Sequence, residues 1–162
     1  MDPQVHGWGQ RCRVALEEAR EQVAQVFGAD SRGIVLTGGG TESVNLALKG
    51  GVWARWPKAV HLITSQIEHP AVLQTCRYLE AKGTLVTYVP VDGAGIVDVE
   101  AIEQAIRPET VLISIMHANN ETGVIQPIEA IGRLARSRGI LFHTDAIQTV
   151  GKLAINVRTM PV

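Results

Sequence analysis

The segment LFHTDAIQTVGK, at residues 141–152, places three side chains capable of chemistry directly after an apolar run. Residues 140–142 predict the end of a strand that is buried on both faces, and His143, Asp145 and Gln148 come after it. A surface loop would explain the polarity, but loops favour Gly, Asn, Ser and Pro, and the next residues are apolar again. An acid at a strand end is often only a cap for the next helix. The cluster is therefore a candidate site that other segments must support.

A glycine-rich segment, TGGGTES at 37–43, lies between a predicted strand and a predicted helix. Gly38, Gly39 and Gly40 let the backbone approach an anion closely. Thr41 can cap the helix, and the first free N–H groups of that helix then point at the same place, as in a phosphate site. A flexible turn explains a lone glycine run about equally well. The segment matches neither the P-loop nor the dinucleotide fingerprint, whose glycines are spaced.

Two more polar segments come after predicted strands, SQIEHP at 65–70 and HANNETG at 117–123. His69 precedes a proline that suits the first position of a helix. Such a histidine, taken alone, is more often a capping or core residue than a catalytic one. Asn119 and Asn120, taken alone, are turn residues. Each segment therefore has an ordinary structural explanation, and only their combination indicates a site.

Strand and helix patterns alternate along the whole chain. This alternation predicts an α/β fold with a mostly parallel sheet and helices on both faces. In such sheets ligands bind beyond the carboxyl ends of the strands, where all four polar segments fall. The predicted strands lie near 34–37, 60–64, 85–89, 111–116 and 140–144. The predicted helices span 10–27, 41–50 with Gly50 and Gly51 as the stop, 70–82, 98–106, and a stretch from Pro127 to Gly139.

The four segments together describe a pyridoxal phosphate site. They supply an anion cradle, an aromatic ring to stack, an amide to hold a hydroxyl and a carboxylate for a ring nitrogen. A carboxylate in that place keeps the pyridine nitrogen protonated, which makes the ring an electron sink. Asp145 is the candidate for this carboxylate. We expect Gly40, His69, Asn120 and Asp145 to converge on one edge of the sheet.

The amino-acid composition argues against several classes of protein. The chain has 162 residues, 46% of them hydrophobic, enough for one globular domain with a core. Its 15 basic residues balance 16 acidic ones, which gives no electrostatic case for nucleic acid or an anionic membrane. No apolar run reaches membrane-spanning length, so a cytoplasmic protein is expected. Cys12 and Cys76 lack the spacing of a metal or redox site and are predicted to be structural residues of helices.

Several segments, in this order along the chain, resemble the class V aminotransferase superfamily. They are GADSRGIVLTGGGTESVNLALKG, ITSQIEHPAVLQTCRYLE, LISIMHANNETGVIQPI and LFHTDAIQTVGK. Within the superfamily they are similar to cysteine desulfurases of the NifS/IscS type, and the resemblance covers essentially the whole chain. It implies that residues 1–162 are part of the three-layer large domain of a fold-type I pyridoxal phosphate enzyme, without a second domain.

The resemblance implies cofactor-binding roles for Gly40, Thr41, His69, Asn120, Asp145 and Gln148. The first two would bind the phosphate, and the histidine would stack on the cofactor ring. The two amide side chains would contact the ring hydroxyl, and the carboxylate would pair with the pyridine nitrogen. No metal ligand is implied.

The family removes sulfur from L-cysteine and leaves alanine and a persulfide for iron–sulfur clusters or thiolated nucleosides. The resemblance thus implies cysteine as substrate, a sulfur-acceptor or scaffold protein as partner, and a homodimer for the full-length protein. Selenocysteine lyases and other class V activities share these motifs and stay open as alternatives.

The sequence departs from the family pattern after the segment LFHTDAIQTVGK. The Schiff-base lysine of the family lies in a Ser-x-His-Lys motif and the nucleophilic cysteine on a later loop, and the chain contains neither. Lys152 belongs to the family's QxxGK pattern and is not that lysine. The family's first strand is also missing before Met1. We therefore expect a fragment with no catalytic residue of its own, either a non-catalytic remnant or one half of a split enzyme.

Overall fold

The computed structural model describes residues 7–55, 58 and 60–162, which form two compact units. The first unit contains residues up to Leu36 together with 155–160. The second contains residues 37–154 together with 161–162, and it carries the sheet. No helix of the described residues is both long enough and apolar enough to cross a membrane.

The first unit is built on one long helix, α1 (Gly7–Phe27), which confirms the helix predicted at 10–27. Gly28 comes next with a φ of 64°, a left-handed conformation that suits glycine at the end of a helix. A short 3-10 turn occupies Ser31–Gly33, and its N-cap Asp30 accepts a hydrogen bond from the amide of Arg32. Ala24 is the buried residue of α1, whereas Val14 and Val26 are exposed.

The prediction of a strand near 34–37 is wrong. Residues 34–37 have no regular structure, and Val35 is 66% exposed. The β-branched composition of this segment supplies only propensity, and a strand also needs a neighbouring backbone to bond with. No strand pairs with this segment within the described residues.

The other four predicted strands are present and form one parallel sheet. They are β1 (His61–Ser65), β2 (Leu85–Val89), β3 (Thr110–Ser114) and β4 (Leu141–His143), in the spatial order β2-β1-β3-β4. Parallel neighbours need crossover connections, and helices supply them here. The carboxyl ends of all four strands therefore lie along one edge of the sheet.

Helices cover both faces of the sheet, as predicted. They are α2 (Gly40–Trp53), α3 (Pro70–Glu80), α4 (Val99–Ala105) and α5 (Ile128–Ser137). Leu62 of β1 packs in the core formed with α2 and α3, whereas its neighbour Ile63 packs in the core formed with α4 and α5. The reason is the alternation of side chains along a strand. The result is a three-layer α/β arrangement.

Two details of α2 differ from the prediction. The helix does not stop at Gly50 and Gly51 but continues to Trp53. A Cβ on Gly51 would lie 3.4 Å from Leu112 Cδ2, so glycine here serves close packing of helix against sheet. Thr41 is not the cap either, since Gly39 occupies the N-cap position and no side chain caps the helix.

Strand β4 was predicted to be buried on both faces, and that prediction is wrong. β4 is an edge strand that pairs with β3 alone among the described strands. Leu141 is 53% exposed and Phe142 is partly buried. An apolar run at this position reports a strand, but its burial depends on neighbours that the run itself does not reveal.

Candidate functional site

The carboxyl ends of three strands and the start of α2 surround one cavity of about 230 Å³. Its walls come from α2, from the segments after β1, β3 and β4, and from the first turn of α3. The lining residues are Gly40, Thr41, His69, Ala71, Met116, Ala118, Asn120, Asp145, Ile147 and Gln148. The structure thus brings together all six residues for which a binding role was predicted.

The start of α2 supplies free amide groups to this cavity. Among the described residues, the N–H groups of Gly39, Gly40 and Thr41 have no hydrogen-bond acceptor. The amide of Gly38 is different, because it donates to Glu42 Oε2 at 2.7 Å. The predicted anion cradle therefore starts at Gly39, and a helix N-terminus with unpaired N–H groups favours an anion.

The absence of a side chain at Gly40 affects the shape of the cavity wall. A Cβ added at this position would collide with Cδ1 of Ile147, which lines the same cavity. Because Ile147 belongs to the segment after β4, the missing side chain lets two separate parts of the chain approach each other. A side chain at this position would have to displace the end of Ile147 from its place in the wall.

His69 serves as a cap and lines the cavity at the same time. It is the N-cap of α3, and its Nδ1 accepts a hydrogen bond from the amide of Ala71 at 3.1 Å. Since Nδ1 is the acceptor, the neutral ring carries its proton on Nε2. The capping interaction fixes the orientation of the ring, so the two explanations offered by the sequence are compatible.

The adjacent asparagines have different roles. Asn119 holds its own turn, because its Oδ1 accepts hydrogen bonds from the amides of Glu121 and Thr122, both at 2.9 Å. Its Nδ2 donates to the carbonyl of Ile67 at 3.1 Å. Asn120 lines the cavity, and its side chain has no hydrogen-bond partner among the described residues. Asn120 is therefore the member of the pair with a free amide to offer a ligand.

Asp145 is held by its surroundings through two groups. Its Oδ1 accepts a hydrogen bond from the amide of Ile147 at 3.1 Å, which caps the next turn of the chain. Its carbonyl oxygen accepts one from the amide of His117 at 2.9 Å. The other carboxylate oxygen has no partner in the described part of the chain. Asp145 thus both caps a turn and presents an available oxygen in the cavity wall.

Two histidines near the cavity have structural roles that the sequence did not indicate. His117 Nδ1 lies 2.9 Å from Thr149 Oγ1, and burial lowers the pKa of His117. His143 Nδ1 lies 2.9 Å from Ser114 Oγ and so links β3 to β4. Burial also lowers the pKa of His143, which Asp145 partly opposes. Both rings are therefore neutral hydrogen-bonding groups near neutral pH.

Gln148 lines the cavity, and its Oε1 accepts a hydrogen bond from Lys152 Nζ at 3.3 Å. This contact uses the oxygen of the amide and leaves its NH₂ group available. Lys152 is exposed and is absent from the cavity wall. Lys152 therefore lies outside the described cavity wall.

Comparison with known proteins shows which family this chain belongs to. The family model described as Aminotransferase class-V matches residues 2–162. The chain belongs to this family.

Class V relatives match nearly the whole chain but are much longer. The cysteine desulfurase IscS of Dictyoglomus turgidum is 49% identical over 158 residues, which are 98% of this chain and 40% of the relative. The solved structure of SspA in complex with cysteine is 44% identical with a TM-score of 0.95, and the match covers 100% of this chain and 47% of that one. A solved NifS-like protein is 41% identical with a TM-score of 0.94, over 98% and 44%. The chain thus spans less than half the length of these relatives.

The two cysteines of this class V chain lie in helices, as predicted. Cys76 is buried in α3, and burial raises the pKa of its thiol to about 12. A thiol with so high a pKa contains almost no thiolate, the form that acts as a nucleophile. Cys12 is exposed in α1. Neither residue lines the cavity.

Proposed function

We propose that this chain is the part of a cysteine desulfurase that holds pyridoxal 5'-phosphate, and that residues 1–162 belong to its large domain. The observation that carries the proposal is the meeting of Gly40, Thr41, His69, Asn120, Asp145 and Gln148 around one cavity. These residues come from four separate segments, so their meeting requires the whole arrangement of strands β1, β3 and β4 with helix α2.

The chemistry of the cavity fits the proposed cofactor. The unpaired amides at Gly39, Gly40 and Thr41 suit a phosphate group. The His69 ring, fixed by its cap, suits a planar heterocycle, and the free carboxylate oxygen of Asp145 suits a protonated ring nitrogen. The cavity therefore combines an anion site, an apolar wall and a carboxylate within about 230 Å³.

Pyridoxal phosphate, when bound, supplies a ring that withdraws electrons from the substrate. The residues of this chain bind and orient that ring. Asp145 would hold a proton on the ring nitrogen, because an ionised carboxylate stabilises the charged form of its partner. The unpaired amide side chain of Asn120 and the available NH₂ group of Gln148 would donate hydrogen bonds to a ring oxygen. His69 would cover one face of the ring and exclude water from it.

Two of the relatives support the choice of substrate. The Dictyoglomus protein is a cysteine desulfurase IscS, and the SspA structure is a complex with cysteine. We propose L-cysteine as substrate, with alanine and a persulfide as products. The persulfide would go to a sulfur-acceptor or scaffold protein for iron–sulfur cluster or thio-cofactor assembly. A homodimer, which the family resemblance implies, and a cytoplasmic location are also proposed for the full-length protein.

A second candidate function, cofactor binding without catalysis by this polypeptide, is favoured by one observation. No lysine of the described residues lines the cavity, and Lys152 is tied to Gln148. A pyridoxal phosphate enzyme needs a lysine that binds the cofactor and moves protons. In this candidate residues 1–162 bind the cofactor, and the lysine comes from outside this segment.

Cofactor titration tests the proposal. The purified 162-residue chain should change the absorbance spectrum of pyridoxal phosphate saturably, and inorganic phosphate should compete. Gly40→Ala should weaken binding, because the added Cβ displaces Cδ1 of Ile147 and so changes the cavity wall beside the unpaired amides. Gly50→Ala is the matched control, since its Cβ would meet no atom within 4 Å. Equal binding by parent and Gly40→Ala, or none by the parent, would contradict the proposal.

A further inference from the structure

The segment after β1 buries a carboxyl group that the proposed function does not use. Glu68 is 4% exposed. Its Oε1 accepts hydrogen bonds from Ser65 Oγ at 2.6 Å and from the amide of Met116 at 3.0 Å. Ser65 is the last residue of β1, and Met116 lies two residues beyond the end of β3. One carboxyl oxygen therefore links the exits of two neighbouring strands.

Nothing among the described residues offsets the cost of burying the second carboxyl oxygen. Oε2 of Glu68 is buried without a hydrogen-bond partner among the described residues. No cationic side chain in that part of the chain forms an ion pair with it. The titratable groups that face it are the carboxylate of Asp145, beyond β4, and the thiol of Cys76, on α3. Neither provides positive charge, and a buried charge without a partner is far costlier than a neutral polar group.

We propose that Glu68 is a positioning residue of the cavity and that it occupies its place as the neutral acid. It fixes the backbone of Met116, a residue of the cavity wall, to the segment that presents His69. In its neutral form Glu68 presents no second negative charge to Asp145. The benefit for Asp145 rests on the proposed function, because it requires the cofactor site. The positioning of Met116 and the protonation of Glu68 do not.

The pKa of Glu68 agrees with this assignment. The pKa of Glu68 is raised from 4.5 to about 7, mainly by burial; the hydrogen bonds from Ser65 and Met116 oppose this shift, and Asp145 adds to it. A folded-state pKa above the unfolded value means that the folded protein binds the proton more tightly. The stability that this proton contributes is complete below a pH of about 4.5 and is lost as the pH rises through about 7.

The protonation is tested by thermal unfolding at several pH values. Glu68→Gln retains an oxygen for Ser65 and Met116 but cannot ionise. Its midpoint should match that of the parent near pH 5 and should exceed it by a margin that grows up to about pH 8. Glu21→Gln, at an exposed position of α1, is the control and should show no such trend. A difference between Glu68→Gln and the parent that is constant with pH would overturn the protonation.

The positioning is tested by hydrogen exchange at the amide of Met116, which needs no cofactor. In the parent this amide should be protected although it lies outside the sheet. Glu68→Leu fills the space without an acceptor and should speed exchange about tenfold, the factor expected for loss of one buried hydrogen bond. Glu68→Gln should restore protection. An unprotected amide in the parent, or equal exchange in Glu68→Leu and Glu68→Gln, would overturn the positioning role.

Cofactor titration of the same variants separates this inference from the proposed function. If the parent fails to bind pyridoxal phosphate while exchange at Met116 behaves as expected, the cofactor site is wrong and the role of Glu68 stands. If the parent binds it and exchange at Met116 is the same in all variants, the cofactor site stands and the role of Glu68 is wrong.

Discussion

The backbone N–H of His117 donates a hydrogen bond of 2.9 Å to the carbonyl oxygen of Asp145. The same histidine meets Thr149 Oγ1 with its Nδ1 at 2.9 Å. His117 therefore holds the turn 145–149 at its first and last residues. The position of the Asp145 carboxylate in the cavity depends on a residue that is not itself in the cavity wall.

Thr149→Val should destabilise the chain by about 1–3 kcal/mol, because it leaves a buried ring nitrogen of His117 without its partner. Valine keeps the shape of threonine, so the loss reports the hydrogen bonds of the hydroxyl. Urea unfolding measures it. Thr159→Val, at an exposed position, is the control. An equal loss in the two variants would show that the hydroxyl of Thr149 has no particular role.

Asp145→Asn should leave the fold nearly unchanged and impair chemistry strongly. The amide oxygen can still accept the hydrogen bond from Ile147, so we expect a stability change within about 1 kcal/mol. An amide cannot hold the ring proton as a carboxylate does, and loss of such electrostatic stabilisation typically costs about 100-fold or more in rate. Sulfide release by a reconstituted enzyme measures this. Full activity of the variant, or a large loss of stability with chemistry intact, would show that Asp145 is only a cap.

The sequence predicted those elements that depend on local pattern. Helical spacing predicted α1, and short apolar runs predicted β1 to β4, because local spacing indicates the type of an element even where its apolar residues, such as Val14 and Val26, are exposed. The segment 34–37 and the exposure of Leu141 could not be predicted, since both depend on which backbone lies alongside. Strand propensity is the same with and without that neighbour.

The candidate site also has a part that could be predicted from the sequence and a part that could not. The resemblance to the class V family named residues that line the cavity, including Asn120 instead of its neighbour Asn119. Their supports, Glu68 and His117, were missed, because a buried polar group that bonds across 32 or 48 positions leaves no periodic signal. One hint of a role for Glu68 was available: it directly precedes His69, in a segment that otherwise looks exposed.

Two glycines in helices should respond in opposite ways to alanine. Gly132→Ala in α5 would place a Cβ against the carbonyl oxygen of Pro161, a backbone atom that cannot turn aside. We expect a destabilisation of about 1–3 kcal/mol, as for overpacking of a core. Gly50→Ala in α2 meets no atom within 4 Å and should stabilise by up to about 1 kcal/mol through helix propensity. Chemical denaturation of both variants checks the pair, and equal signs would contradict it.

Stability should fall in acid because of three histidines, of which His61 and His117 are buried and His143 is partly buried. Burial lowers the pKa of His61, His117 and His143. His61 bonds to Thr110 Oγ1 and Thr87 Oγ1, both at 2.8 Å, and so joins β1 to β3 and β2. A folded-state pKa below the unfolded value, about 6.5 for histidine, gives stability that is present above that pH and is lost as the pH falls through the lowered value.

Glu68 has the opposite dependence, so the effect of the histidines is best measured in Glu68→Gln. In that background the free energy of unfolding should decrease continuously from about pH 7.5 to about pH 5, the range through which a histidine of ordinary pKa gains its proton. Replacing His61 by Gln should reduce the slope, because one of the three titrating groups is removed. A slope unchanged by that substitution would show that His61 does not contribute.

The 162-residue chain should not turn over cysteine by itself. Two tasks of the proposed reaction have no group in the described part of the cavity: a lysine to bind the cofactor and move protons, and a thiolate to receive sulfur. Lys152 Nζ is occupied by Gln148 Oε1 at 3.3 Å, and the buried thiol of Cys76 has a pKa of about 12. Alanine and sulfide should be measured with the chain, pyridoxal phosphate, cysteine and a reductant, against the cofactor without protein. Rates equal to this control are expected even if the cofactor binds. Turnover well above it, and its loss in Lys152→Ala, would show that Lys152 can take the role of the missing lysine.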